Sequence, residues 1–368
     1  MDANARHDKL YAIMRAAGLD VIALIPGPNH RYLTGAVHYV LERPIVTFYS
    51  PDRHPLAVIP ELEIPLFERH PAPAELITYT DAEGYEGAFQ LAMERLGARG
   101  KTIGVEGLHM RFFEGEIIRA CAPEATVVDA TEALAELRIV KDASEIALLR
   151  RAIDISQRAL QAMFEQVKVG MSEIEAAAIL EDHIKALGGD GLSFGTILHA
   201  GGNTALPHSG PLDYRIQHGD PLIVDFGATC EGYCADITRT VFVGAASDAQ
   251  RDFYAVVQRA NEAGRLAARP GVSCESVDMA ARQVFIDAGY EHLIRHRTGH
   301  GLGMEAHEAP YIVLGNERIL QPGMVFTVEP GIYRMGEIGV RIEDNMLITE
   351  DGAESLTTFP RDLLIIEA

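Results

Sequence analysis

The chain has 368 residues, 48% of them hydrophobic and 23% charged, as in an ordinary folded soluble protein, and at roughly 100–200 residues per domain this length suggests two domains. Acids outnumber bases 53 to 32, and the net charge of −21 disfavours general binding to nucleic acid or an anionic membrane, both of which need basic surface. The start, MDANARHDKL, lacks the apolar core of a secretory signal, no apolar run reaches the ~18 residues that span a bilayer, and Cys121, Cys230, Cys234 and Cys274 read as reduced thiols of a cytoplasmic protein.

The first third alternates helix-like and strand-like segments. Ala3 to Ala17 has helical spacing, and Asp20 to Ile25 reads as a buried strand stopped by Pro26–Gly27–Pro28. Ile45 to Tyr49 and Leu56 to Ile59 flank Ser50–Pro51–Asp52 as a hairpin. A strand at Leu76–Tyr79, a helix over 87–96 and strands at Thr102–Val105 and Thr126–Val128 complete an α/β domain assigned to residues 1–136.

Residues 137–368 have a different texture. A long helix capped by Asp142 or Ser144 runs to about Val167, and a second, with Ser172 as N-cap, covers Met171 to Leu187. A Gly-, His- and acid-rich stretch follows. The helices Ser247–Ala268 and Ser273–Ala288 then repeat the pair, and a strand-rich stretch covers Val325 to Ile365. This order predicts an α+β domain with an internal αβ duplication.

Four segments of that domain place acids and histidines in or beside apolar runs: Ile223–Val224–Asp225–Phe226–Gly227 leading to Asp236, the Gly-rich His296–Arg297–Thr298–Gly299–His300, Thr327–Val328–Glu329, and Gly339–Val340–Arg341–Ile342–Glu343. A carboxylate in an apolar stretch is costly unless it is paired or holds a cation. Four such acids and a histidine suit Mn²⁺, Co²⁺, Zn²⁺ or Fe²⁺, and their negative charge fits two ions better than one.

These motifs, VDFG…GYCADITRT, HRTGHGLG…HEAP, TVEPG and GVRIED, together with LRIVKDASEIALLRRA and NTALPH, resemble those of the pita-bread metallopeptidases, the creatinase/aminopeptidase P/prolidase group. Asn29–His30–Arg31–Tyr32–Leu33–Thr34–Gly35 is similar to a segment of the creatinase-type N-terminal domain, which methionine aminopeptidases lack. Creatinase itself lacks the metal ligands, all of which are present here. The resemblance implies a pita-bread catalytic domain behind a creatinase-type domain, a homodimer, and two divalent ions, with manganese first and cobalt, zinc or iron as alternatives. Asp225 would bind one ion, Asp236 and Glu343 would bridge both, and His300 and Glu329 would complete the other. A water or hydroxide between the ions would attack the peptide carbonyl, with Glu329 moving its proton. His208 and His307 would contact the substrate and the tetrahedral intermediate. His296 would line the pocket for the residue after the cleaved bond. Arg341 would orient a histidine or bind a substrate carboxylate.

An Xaa-Pro bond is a tertiary amide without an N–H, so a site that polarises the carbonyl directly can cleave it where a backbone-reading peptidase cannot. The resulting expectation is an Xaa-Pro dipeptidase acting on small peptides. Aminopeptidase P on longer Xaa-Pro-Yaa peptides is the alternative, with a non-peptidase on the same scaffold behind it. Arg43 is a candidate for binding the dipeptide carboxylate. One departure stands out: family members with this N-terminal domain usually carry Tyr five residues after the first Asp, where this chain has Cys230. A thiol is the weaker donor, so one metal position is expected to bind weakly.

Overall fold

The structure, a computed structural model, describes residues 3–69, 74–207 and 209–367. It divides into two compact units between Arg138 and Ile139. The helix Thr131–Arg138, which the sequence reading passed over, still belongs to the first unit, with Leu134 and Leu137 buried.

In the first unit six strands form one sheet in the order Glu75–Tyr79, Arg53–Pro60, Val46–Ser50, Val21–Leu24, Thr102–Val105, Thr126–Asp129. The hairpin is antiparallel, with Val46 opposite Val58, while Val21–Leu24 runs parallel to Thr102–Val105. Val21, Phe48, Val58 and Ile103 from the sheet meet Phe89, Met93 and Leu96 from the helix Glu86–Leu96 in one core. Pro26–Gly27–Pro28 does end the first strand, but it also starts a helix, Pro28–Thr34. Proline lacks only an N–H that the first turn leaves unpaired anyway, and Gly35 at φ 74° closes the helix.

In the second unit the long helix is Ala143–Phe164 and its cap is Asp142, whose carboxylate accepts from Ser144 and Glu145 N–H while Glu145 returns a bond to Asp142 N–H. Ser172 caps Glu173–Ala186 in the same way with Glu175. Asp248–Ala267 and Cys274–Asp287 form the second helix pair.

The two halves repeat in detail. Gly170 (φ 89°) and Gly271 (φ 86°) both donate their N–H across to a later chain, to the Ile216 and Leu320 carbonyls. Two residues on, the caps Ser172 and Ser273 bridge Arg215 and Ile319, each six positions before a strand, Pro221–Phe226 and Val325–Val328. Asp225 is the fifth residue of the first of these strands, and Glu329 directly follows the four residues of the second, so duplication sets one carboxylate at the same point in each half. The first strand sits in a sheet ordered Ile365–Ile366, Ile237–Val243, Pro221–Phe226, Ile197–Ala200. The second sits in one ordered Glu308–Ile312, Gly299–Gly301, Val325–Val328, Asp344–Ile348, Ala353–Ser355.

Candidate metal centre

Local pairing brings the acids together. Asp225 lies opposite Thr238 on the antiparallel strand Ile237–Val243, which Asp236 immediately precedes. Glu343 follows the strand Ile338–Arg341 at a distance of two residues and donates its N–H to the Thr238 carbonyl at 3.1 Å. Glu329 donates its N–H to the Thr298 carbonyl at 2.7 Å, next to the strand Gly299–Gly301 that carries His300. Gly299 and Gly301 permit that approach, since a Cβ on either would run into the carbonyl oxygen of Thr327 or Ala309.

The ligand atoms form overlapping groups. Asp225, Asp236 and Glu343 offer oxygens within 4.8 Å of one another, and a nitrogen of His300 lies as close to oxygens of Glu329 and Glu343. His300 Nδ1 lies 3.1 Å from the Gly301 carbonyl, to which it can only donate, so Nε2 is the nitrogen that faces the acids, donating when it carries a proton and offering a lone pair to a cation when it does not. That nitrogen points at Glu329 Oε1 (3.2 Å) and Asp236 Oδ2 (3.6 Å). A third group joins Asp236 and His300 to His307, whose ring centroid is 3.9 Å from that of His300.

The electrostatics are those of an acid cluster short of positive charge. Burial, then the charges of Glu343, Asp225 and Glu329, push the Asp236 carboxyl well above its ordinary range. Burial and the charges of Glu329 and Asp225 do the same to Glu343. Burial also opposes ionisation of Glu329, but the hydrogen bond and charge of a protonated His300, with Arg341 beyond, hold it below the usual range. Asp225 Oδ1 and Glu343 Oε1 are buried without a hydrogen-bond partner among the described residues. Buried carboxylate oxygens are rarely left unpaired. Oxygens that converge with a histidine nitrogen and lack protein donors are what divalent cations bind, so this donor set fits two of them.

Arg341 is buried among these groups. Its NH2 donates to Asp225 Oδ2, Nε to Thr238 Oγ1 (3.1 Å) and NH1 to the Tyr333 hydroxyl (2.5 Å). Tyr333 in turn donates to His296 Nε2 (2.8 Å), because His296 Nδ1 donates to the Arg297 carbonyl (2.7 Å). A directed chain thus runs Arg341, Tyr333, His296. The arginine orients Asp225 and, through Tyr333, a histidine, and each of its three nitrogens is engaged by the protein. Burial pushes the Tyr333 phenol up to about 12 against the pull of Arg341. His208 lies outside the described residues.

Several members of the site escaped the sequence reading. Tyr333 sits in an unremarkable strand, Gly331–Arg334. Asn345 clasps the Asp236 backbone, accepting its N–H at 3.3 Å and donating to its carbonyl at 2.5 Å. Fully buried Glu173 accepts from His199 (2.9 Å), Ala200 N–H (2.8 Å), Asn203 (3.0 Å) and Leu212 N–H (2.8 Å), and so ties both ends of the loop whose Ser209, Gly210 and Pro211 line the cavity. Lys141 and Glu308, buried and 2.6 Å apart, brace the segment after His307. The quoted motifs covered Lys141, Asn203 and Glu308 without giving any of them a role. Tyr233 donates to Glu145 at 3.0 Å and is therefore no replacement for the phenol absent at Cys230. The Cys230 thiol is buried in the core beside the first helix pair, and that burial pushes it up.

Asp225, Asp236, His296, His300, His307, Glu329, Arg341 and Glu343 all line one cavity of about 1020 Å³, at the upper end of the roughly 300–1,000 Å³ usual for small-molecule sites.

A model of metallopeptidase family M24 matches residues 147–350, and one of the creatinase/prolidase N-terminal domain matches residues 6–140. The Xaa-Pro dipeptidase of Pyrococcus horikoshii is 33% identical over 363 residues, 98% of this chain and 99% of its own. Among solved structures, dipeptidase PepE from Mycobacterium ulcerans superposes with TM-score 0.93 at 34% identity, covering 100% of this chain and 98% of its own. X-Pro aminopeptidase from Thermotoga maritima superposes with TM-score 0.86 at 30% identity, covering 98% of this chain and 99% of its own.

Proposed function

This chain belongs to metallopeptidase family M24, as a peptidase of the dipeptidase/prolidase type with a creatinase N-terminal domain, and within that family we propose that it is an Xaa-Pro dipeptidase working with two divalent metal ions. The observation that carries this reading is the convergence of Asp225, Asp236, His300, Glu329 and Glu343, with two buried carboxylate oxygens that no group among the described residues satisfies. Asp225 would hold one ion, Asp236 and Glu343 would be shared by both, and His300 with Glu329 would complete the other. When bound, the ions supply Lewis acidity toward the peptide carbonyl and toward water.

The chain's own groups do the rest. Arg341 fixes Asp225, and Thr238 fixes Glu343 through a 2.6 Å hydrogen bond to Oε2. Glu329 accepts on Oε2 the proton of the water that adds to the carbonyl and delivers it to the proline nitrogen as the C–N bond breaks. His307, the exposed member of the cluster, and His208 donate hydrogen bonds to the substrate carbonyl, while His296, held by Tyr333, walls the proline side. No step needs an N–H on the scissile nitrogen.

Manganese is the ion proposed first, in a cytoplasmic homodimer whose four cysteines are free thiols. Cys230 stands where family members usually carry a phenol, and a thiol is the weaker donor, so one metal position is proposed to bind weakly. Dialysis against metal-free buffer should leave about one ion per chain, and two retained ions would remove the Cys230 effect.

A panel of Leu-Pro, Met-Pro, Leu-Pro-Pro and Leu-Gly, with and without Mn²⁺, tests the function. Metal-dependent release of proline from the first two, with little turnover of the others, is expected. Preference for Leu-Pro-Pro would move the assignment to aminopeptidase P, and no turnover of any member would overturn the peptidase assignment to Xaa-Pro bonds.

A further inference from the structure

A dipeptide's free carboxylate lies two bonds from the scissile nitrogen, so a dipeptidase needs a cation with free N–H groups beside its metal centre. Arg43 does not offer one. Its Nε and NH2 grip the two Asp81 oxygens, both at 2.8 Å, and NH1 reaches Glu42 at 2.5 Å. Among the described residues lining the catalytic cavity there are two guanidinium groups, those of Arg341 and Arg297. Each nitrogen of Arg341 already donates within the protein, to Asp225, Thr238 and Tyr333.

Arg297 differs from both. No carboxylate among the described residues pairs with it; its guanidinium lies over the Tyr311 ring, 4.5 Å from the centroid. Stacking holds the group through its face and leaves its N–H edge open, whereas an ion pair would have to break before a substrate could bind. The platform is placed by register: Tyr311 is the antiparallel partner of His300, and side chains directly opposite in such a pair share a face of the sheet. The backbone around Arg297 is fixed on both sides. Its own carbonyl accepts from His296, and the next carbonyl, of Thr298, accepts from Glu329 N–H.

The geometry points to Arg297, stacked on Tyr311, as the group that binds the C-terminal carboxylate of the dipeptide and so restricts this enzyme to dipeptides. A planar fork of N–H donors on a rigid platform matches a carboxylate bidentately. The inference rests on the dipeptidase reading and assigns its specificity to one residue.

The test compares Leu-Pro with Leu-prolinamide, which differs only in lacking the terminal charge, in wild type, Arg297→Ala, Arg297→Lys and Tyr311→Leu, all loaded with Mn²⁺. Loss of a charged hydrogen-bonding partner should raise KM for Leu-Pro on the order of 50-fold in Arg297→Ala. The change on the amide should be far smaller, and kcat for Leu-Pro should move little. Arg297→Lys should restore part of the loss. Tyr311→Leu, which keeps the charge but not its platform, should fall between wild type and Arg297→Ala. Free proline should inhibit wild type more strongly than prolinamide does, and Arg297→Ala should lose that difference. Equal losses on Leu-Pro and its amide, with wild type active, would overturn the role of Arg297 and leave the dipeptidase reading standing. Wild type inactive on both would overturn the two together.

Discussion

Glu343 and Asp344 are neighbours in the chain, both almost fully buried, and they face opposite fates. Asp344 turns to a side where the protein supplies its own cations. Arg239 NH2 donates to one oxygen at 2.8 Å, and Arg361 Nε (2.6 Å) and Asn261 (3.0 Å) donate to the other. Burial would raise its carboxyl, but Arg239 and Arg361 hold it below the usual range. Glu343 turns the other way, toward Asp225, Asp236 and Glu329, keeps an oxygen without a partner, and is pushed up by burial and by those charges. The same residue types thus build a closed ionic core on one side of a strand and an open one on the other. A buried acid with its counterion supplied is architecture, and one without is a place for an ion from outside.

The largest effect expected from breaking this contrast is in Asp236→Asn. Losing a ligand shared by both metal positions should cut activity more than about 100-fold, beyond the 10–100-fold typical of outer hydrogen-bond partners. In metal-free protein, however, the same change removes one of the crowded like charges and should raise stability at neutral pH on the order of 1 kcal/mol. Urea unfolding of metal-free wild type and variant checks this, and a lower midpoint in the variant would contradict the account of an acid cluster short of counterions.

Asp344→Ala should act in the opposite sense. It leaves Arg239 and Arg361 without their carboxylate in the interior, and removing one partner of a buried pair costs about 3–5 kcal/mol. The loss should appear in metal-free and metal-loaded protein alike. An effect confined to the loaded form would mean that Asp344 serves the metal after all.

The smallest effect sharpens the comparison from the other unit. His30 is fully buried, with Nε2 3.1 Å from Thr47 Oγ1 and Nδ1 unpartnered, and it has no counterion. Burial, then His38, lower it to about 3, so it stays neutral. Between pH 6.5 and about 3 the unfolded chain binds this proton and the folded chain does not. Stability from His30 is therefore intact above about pH 6.5 and falls as pH drops below it, by roughly 1 kcal/mol per pH unit. His30→Gln should flatten that part of the pH profile of unfolding, and an unchanged profile would assign the acid sensitivity elsewhere.

What could be read without coordinates follows from locality. Caps lie within a few residues of their helices, so Ser172 was legible and the cap of the long helix was narrowed to Asp142 or Ser144, between which the structure decides for Asp142. Apolar runs marked most strands, and acids inside such runs marked Asp225, Asp236, Glu329 and Glu343. The helix Pro28–Thr34 was missed because a Pro–Gly–Pro stop and a Pro-initiated helix look alike in sequence.

The sequence by itself determined the family, the two-part organisation, and which acids and histidines are candidates for metal, because those residues sit in short motifs whose spacing is set by single strands and loops. Only the tertiary structure decided which carboxylate oxygens go unpaired, that Arg341 faces Asp225, that Asp344 is closed off by Arg239 and Arg361, and that Arg297 lies on Tyr311. Each of these pairs joins residues brought together by strand register or packing across the fold. A residue's charge is written in its own code, but whether that charge has a partner depends on segments more than a hundred positions away, as with Arg341 and Asp225.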